Sequence, residues 1–129
     1  NPIKSLLLPV LMKYNTSSYQ KSLLLDKPIF AFCGIANPNS FIKSVLDLSL
    51  KVKGKRFFKD HQDYTYKVIK ELSEQIKINN ISHVVTTEKD MVKLPQSFLL
   101  EFEVYVIKIE IEFENESNLK DIVLPILLN

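Results

Sequence analysis

Asp60 and His61 are adjacent in a 129-residue chain that holds just one other histidine, His83. An imidazole is the side chain most easily poised for proton transfer near neutral pH, and a neighbouring carboxylate can orient it. The plainer reading is a polar turn in which Asp60 caps the backbone and His61 lies on the surface. A second group, Thr87-Glu88-Lys89-Asp90, fits the Thr-x-x-acid pattern that opens helices. That pattern explains Thr87 and Asp90 but gives Glu88 and Lys89 no task. A third group, Gly34-Ile35-Ala36-Asn37-Pro38, reads as a strand-to-helix turn. Glycine supplies unusual dihedrals, asparagine the cap and proline the first helical turn. The same helix start offers free N–H groups to an anionic ligand.

Other chemistries are excluded by residue type and spacing. Gly34 and Gly54 are the two glycines of the chain and lie far apart, so neither a GxxxxGK[ST] phosphate loop nor a GxGxxG turn exists. A nucleotide would have to be held mainly by other atoms. No metal site is expected, because His83 lies across a strand and Cys33 stands alone without ligand spacing. Cys33 sits inside an apolar run and reads as inert core, and His83 as a packed or edge-strand histidine. The 17 basic and 15 acidic residues are interspersed and leave a formal charge of +2, too little for nucleic-acid binding by bulk electrostatics. One cysteine forms no internal disulfide, and no apolar run approaches the ~18 residues of a membrane span, so a soluble cytoplasmic protein is expected. The first residue is Asn, as expected of a processed chain or a piece of a longer one.

These groups need elements to position them. With 46% hydrophobic and 25% charged residues, the chain suits one core. Residues 1–26 are leucine-rich but broken by Pro9 and by Asn15–Ser18; they are expected to be a helical or irregular lead-in or linker. Residues 27–129 are expected to form an α/β domain. Pro28–Cys33 reads as a strand buried on both faces. Phe41, Ile42, Val45 and Leu46 share one face of the helix that follows Asn37-Pro38. Val52–Phe58 is a second strand. A helix from about Thr65 to Lys77 carries Val68, Ile69, Leu72 and Ile76. Ile81–Thr86 is a third strand, followed by a short helical turn through Leu94. Val104–Phe113 is a fourth strand, buried on both faces at its start and wet on one face later. A last helix would carry Leu119, Ile122, Val123 and Ile126, kinked by Pro125. Strand-helix alternation predicts a mostly parallel sheet with helices on both faces, a Rossmann-like three-layer sandwich. In such folds the chemistry gathers at the carboxyl ends of the strands, where the loops Gly34–Pro38, Asp60–Tyr64 and Thr86–Asp90 should converge.

Three blocks stand in order: Ala31 to Pro38, Phe58 to Thr65, and Val85 to Leu94. Together they resemble the carboxyl-terminal part of the tetraacyldisaccharide 4′-kinases, the lipid A 4′-kinases of Gram-negative bacteria. That family shows a GIGNP- or GIANP-type turn, a Phe-x-Asp-His block and a TEKD-x-VKL block, and the likeness covers about residues 27 to 113. The resemblance implies transfer of phosphate from Mg-ATP to the 4′-hydroxyl of a disaccharide lipid precursor at the cytoplasmic face of the inner membrane. It also implies an amino-terminal Walker-loop domain, acting in cis, that this chain does not contain and that would hold most of the ATP and Mg. His61 would tune a base from that domain as the two domains close, with Asp60 holding the imidazole or capping the turn. Gly34, Asn37, Thr87, Glu88, Lys89 and Asp90 would line the substrate or nucleotide cleft. Lys59 departs from the family's proline before Asp-His, and Gln62 from a second histidine. The competing expectation is a stand-alone α/β module that binds a ligand or partner without catalysis.

Overall fold

The computed structural model describes residues 4–14, 26–114 and 123–124, with side chains at 11–14 and 26–108. In chain order the elements are β1 (Lys4–Lys13), β2 (Pro28–Cys33), α1 (Pro38–Asp47), β3 (Lys51–Phe57), α2 (Tyr66–Ile78), β4 (His83–Thr87), α3 (Glu88–Met91), α4 (Gln96–Glu101), β5 (Glu103–Glu114) and β6 (Val123–Leu124). They build one sheet in the order β1-β5-β4-β2-β3, with β6 added to β5. β2, β3, β4 and β5 pair in parallel, while β1 and β6 each pair antiparallel with β5. The α/β expectation holds.

β2 has no polar face, because both of its faces are covered. Ile29, Ala31 and Cys33 point to the α1 side with Val85, Tyr105, Phe41 and Val45. Phe30 and Phe32 point to the other side, against Ile69, Leu72 and Ile76 of α2 and Phe98 of α4. All five β2 residues from Ile29 to Cys33 are 0% exposed. Alternation along a strand thus feeds two cores, each large side chain contributing roughly 1.5–3 kcal/mol of transfer free energy. β3 lies at the margin and is different: Lys51, Lys53, Lys55 and Phe57 are exposed while the intervening residues are half-buried. Its register with β2 slips between Ile29 and Phe30, so that Phe30 faces Gly54. A Cβ at Gly54 would lie 2.6 Å from Phe30 Cδ2, so the approach of this ring requires glycine there.

The helix starts follow their caps. Asn37 accepts a hydrogen bond from Ser40 N–H at 3.3 Å with Pro38 in the first turn, and Thr65 accepts from Val68 N–H at 3.3 Å.

Two expectations are corrected. Residues 4–13 form neither a helix nor an irregular segment but β1, paired in register from Lys4↔Glu114 to Lys13↔Tyr105. β1 is a margin strand, where Pro9 is tolerated because its missing N–H need not face a partner. Leu11 is 1% exposed and joins the α1-side core. Val123 is likewise in a short strand, with Val123–Leu124 paired to Glu112 and Ile111, rather than in a final helix. Leu119, Ile122, Pro125 and Ile126, like Asn15–Ser18 and the β5 side chains beyond Lys108, lie outside the described residues. α4 was not anticipated: it has six residues, a Pro95 cap without a side-chain hydrogen bond, and no room for a periodic signature.

Candidate functional site

Parallel pairing puts the carboxyl ends of β2, β3 and β4 on one rim, and the three chemistry-bearing loops meet there. The tie is Asp90, 1% exposed at the third position of α3. Gly34 N–H donates to both of its carboxylate oxygens, at 3.1 Å each. Tyr64 O–H donates to Oδ1 at 2.8 Å, and Thr87 O–H donates to Oδ2 at 2.5 Å. Thr87 Oγ1 in turn accepts from Asp90 N–H at 3.1 Å, which is the capping interaction expected from the sequence. The acid does not reach back to the Thr87 backbone as in a full capping box. Its charge is directed instead at the turn after β2, 56 positions earlier.

Burial and the negative charge of Asp90 raise the Tyr64 phenol far above its ordinary value, so it stays a hydrogen-bond donor. Burial, opposed by the Ile35 N–H and reinforced by Asp90, pushes the Cys33 thiol up to about 11. Cys33 is an inert wall of the site, as its apolar setting suggested.

The Asp60-His61 turn stands over this cluster. Just before it, Phe58 N–H donates to Cys33 C=O at 2.8 Å, and the Phe58 ring lies between Tyr64 (centroids 5.4 Å apart) and the Arg56 guanidinium (4.7 Å). Just after it, Tyr64 is fixed on Asp90, and Lys93 Nζ donates to Gln62 C=O at 3.3 Å. Lys59 C=O and the Gln62 Cβ come within 3.1 and 3.0 Å of where a Cβ on Gly34 would sit, so the loop rests directly on the glycine backbone. His61 has φ of 60°, a left-handed conformation uncommon outside glycine, which costs of order 1 kcal/mol and persists where the surroundings impose it. Its side chain is 87% exposed, at the tip of the loop. Asp60 Oδ1 accepts from His61 N–H at 3.1 Å, whereas Oδ2 is 3.6 Å from Nε2. Asp60 therefore caps the turn, and the imidazole is beside the carboxylate without a hydrogen bond to it.

The other sequence candidates fall into place less uniformly. Asn37 is occupied as the α1 cap. Glu88 pairs with Lys108 at 3.1 Å, both about one-fifth exposed, and so fastens α3 to β5. Lys89 is exposed at the rim. His83 lies at the amino end of β4, on the opposite rim, stacked on Tyr105 with burial lowering its pKa. Sequence reasoning gave no role to Tyr64 or Lys93, although both stand inside the recognised blocks. One polar group is unaccounted for: Thr86 Oγ1 is buried, with no hydrogen-bond partner among the described residues. Among the same residues no three His, Cys, Asp or Glu side chains gather as a metal site would need, and no helix is long and apolar enough to cross a membrane.

A family model described as tetraacyldisaccharide-1-P 4′-kinase matches residues 4–127, which adds β1 and the segment after β5 to the stretch recognised from motifs. The tetraacyldisaccharide 4′-kinase of Desulfotalea psychrophila is 40% identical over 81 residues, covering 63% of this chain and 23% of that protein. That of Bartonella quintana is 34% identical over 105 residues, covering 77% of this chain and 30% of that protein. The chain thus spans between about a quarter and a third of the length of these relatives. The crystal structure of an "apo" form of LpxK from Aquifex aeolicus, in complex with ATP, superposes with a TM-score of 0.62 over 92% of this chain and 34% of its own, at 22% identity. That likeness shows a shared fold.

Proposed function

The chain belongs to the tetraacyldisaccharide-1-P 4′-kinase family, and from that premise we propose that it is the carboxyl-terminal part of such a kinase. The reaction is transfer of the ATP γ-phosphate to the 4′-hydroxyl of a tetraacyldisaccharide 1-phosphate during lipid A biosynthesis. The observation that carries this reading is the family match across residues 4–127. The exposed His61 at the carboxyl rim supports it. We take the α/β domain to begin with β1, whose Leu11 shares its core, rather than at residue 27, and place the complete enzyme at the cytoplasmic face of the inner membrane.

Phosphoryl transfer depends mostly on positioning and charge stabilisation, with a group that accepts the proton of the attacking hydroxyl. This segment supplies the imidazole. His61, held by its loop and with its ring open to solvent, orients and tunes a carboxylate base brought by an amino-terminal domain as the cleft closes. Asp60 serves by fixing the turn. Lys89, exposed beside the same rim, is placed to face anionic substrate or nucleotide groups. Mg-ATP itself does not fit the residues present: there is no phosphate loop in the sequence and no acidic cluster among the described residues. Its phosphates and metal are assigned to the amino-terminal domain, and the 129-residue segment alone is inactive.

The test is His61→Ala in the complete polypeptide that carries this segment. Turnover should fall by about 10²–10⁴-fold, the usual range for general-base catalysis, because the carboxylate base loses the group that orients and tunes it. The melting temperature should stay within a few degrees, because the side chain is 87% exposed. Wild-type turnover in that variant would remove the reading.

A further inference from the structure

We propose that Asp90 and Tyr64 form a positioning latch that sets where His61 stands, and that the Asp90 carboxylate touches no ligand. This inference rests on the kinase reading above and assigns Asp90 a role different from lining the cleft. An ionised carboxylate has about four lone-pair sites. At Asp90 four hydrogen-bond contacts fill them: two from Gly34 N–H, one from Tyr64 O–H and one from Thr87 O–H. With 1% exposure, nothing of it remains for a substrate oxygen, a metal or a nucleotide.

What the carboxylate does hold is one end of the loop that presents the imidazole. Phe58 precedes His61 by three positions and Tyr64 follows it by three. Phe58 is tied to Cys33 through the backbone, and Tyr64 to Asp90 through its hydroxyl. The Tyr64 ring meets Phe32 and Phe58 edge-on, with centroids 6.1 and 5.4 Å away, so the hydroxyl points at Asp90 from a ring that cannot swing. Lys93 adds a strut from outside, on Gln62 C=O. Between these fixed points the chain is pressed against Gly34 and passes through a left-handed His61. A loop this short, held at both ends, has little freedom at its tip. Releasing one end moves the imidazole, and a displacement near 1 Å is enough to cost about a hundredfold in rate.

The experiment is steady-state kinetics on the complete polypeptide with Tyr64→Phe, His61→Ala and the double variant. Tyr64→Phe keeps the ring and its packing and removes one oxygen. It should lower kcat by about ten- to a hundredfold with the KM for ATP unchanged. In the His61→Ala background the same change should cost less than about twofold, because the residue it positions is gone. Lys93→Met, at an exposed site where folding is not at stake, should give a smaller loss that also vanishes in that background. Equal losses with and without His61 would show that the latch acts through general stability and would overturn the inference. Full activity in Tyr64→Phe and Lys93→Met, with His61→Ala inactive, would overturn it too while leaving the kinase reading intact. Full activity in His61→Ala would remove both.

Discussion

Asp90 offers the sharpest stability test, because its partners have unequal alternatives. Asp90→Ala strands three donors. Gly34 N–H is buried and has no other acceptor among the described residues, whereas the Tyr64 and Thr87 hydroxyls are only half-buried and can turn towards water. Bonds to a charged acceptor are worth about 1.5–3 kcal/mol each, and a buried orphaned donor costs about 1–3 kcal/mol. Against this, removing the carboxylate relieves its own burial cost, several kcal/mol. The balance is a loss of about 3 kcal/mol, dominated by the Gly34 N–H. Asp90→Asn should cost less, about 1–2 kcal/mol. Its carbonyl oxygen can serve Gly34 and Tyr64, and its NH₂ can face Thr87 Oγ1 once that hydroxyl turns. Urea denaturation reports both values as shifts in midpoint at constant slope. Asn less stable than Ala, or Ala within about 1 kcal/mol of wild type, would refute the account of Asp90 as the tie between loops.

Three further outcomes are expected. Gly54→Ala should cost about 1–3 kcal/mol by chemical denaturation, because the added methyl meets Phe30, a ring with 0% exposure and nowhere to move. Thr86→Val should be neutral or stabilising by up to about 1 kcal/mol, since it keeps the shape and deletes a buried hydroxyl that has no partner among the described residues; a clear loss would mean that the hydroxyl is bonded. Cys33, with its thiol raised to about 11 and fully buried, should resist alkylation at pH 8 in the folded protein and label rapidly only in denaturant.

The parts of this fold that could be read from sequence are those decided locally. Pro28–Cys33 is apolar throughout because helices cover both faces of the strand, and that shows in six residues. Asn37-Pro38, Thr65 and Thr87 cap helices with their own side chains, within three positions. What stayed hidden depends on distant partners. β1 exists because β5 is long enough to receive it, from the other end of the chain, and its Pro9 argued for the opposite. Asp90 looked like the acid of a capping box, and its N–H is indeed capped by Thr87, but its carboxylate serves Gly34, which no spacing rule connects to it. The His61 loop was legible as chemistry and not as geometry. Its position depends on a phenol and a buried acid that only the folded chain brings together.

The lysines of β3 bear on how the molecule behaves in a crowd. A strand with a vacant outer row of backbone donors and acceptors invites a second copy to continue the sheet. Here Lys51, Lys53 and Lys55 are exposed along that strand, and the slip opposite Phe30 breaks its regular spacing. Two copies drawing together side by side would crowd ammonium groups against one another with a poor backbone match. Solubility should therefore be ionic-strength sensitive, falling as salt shortens the reach of those charges to a few ångströms.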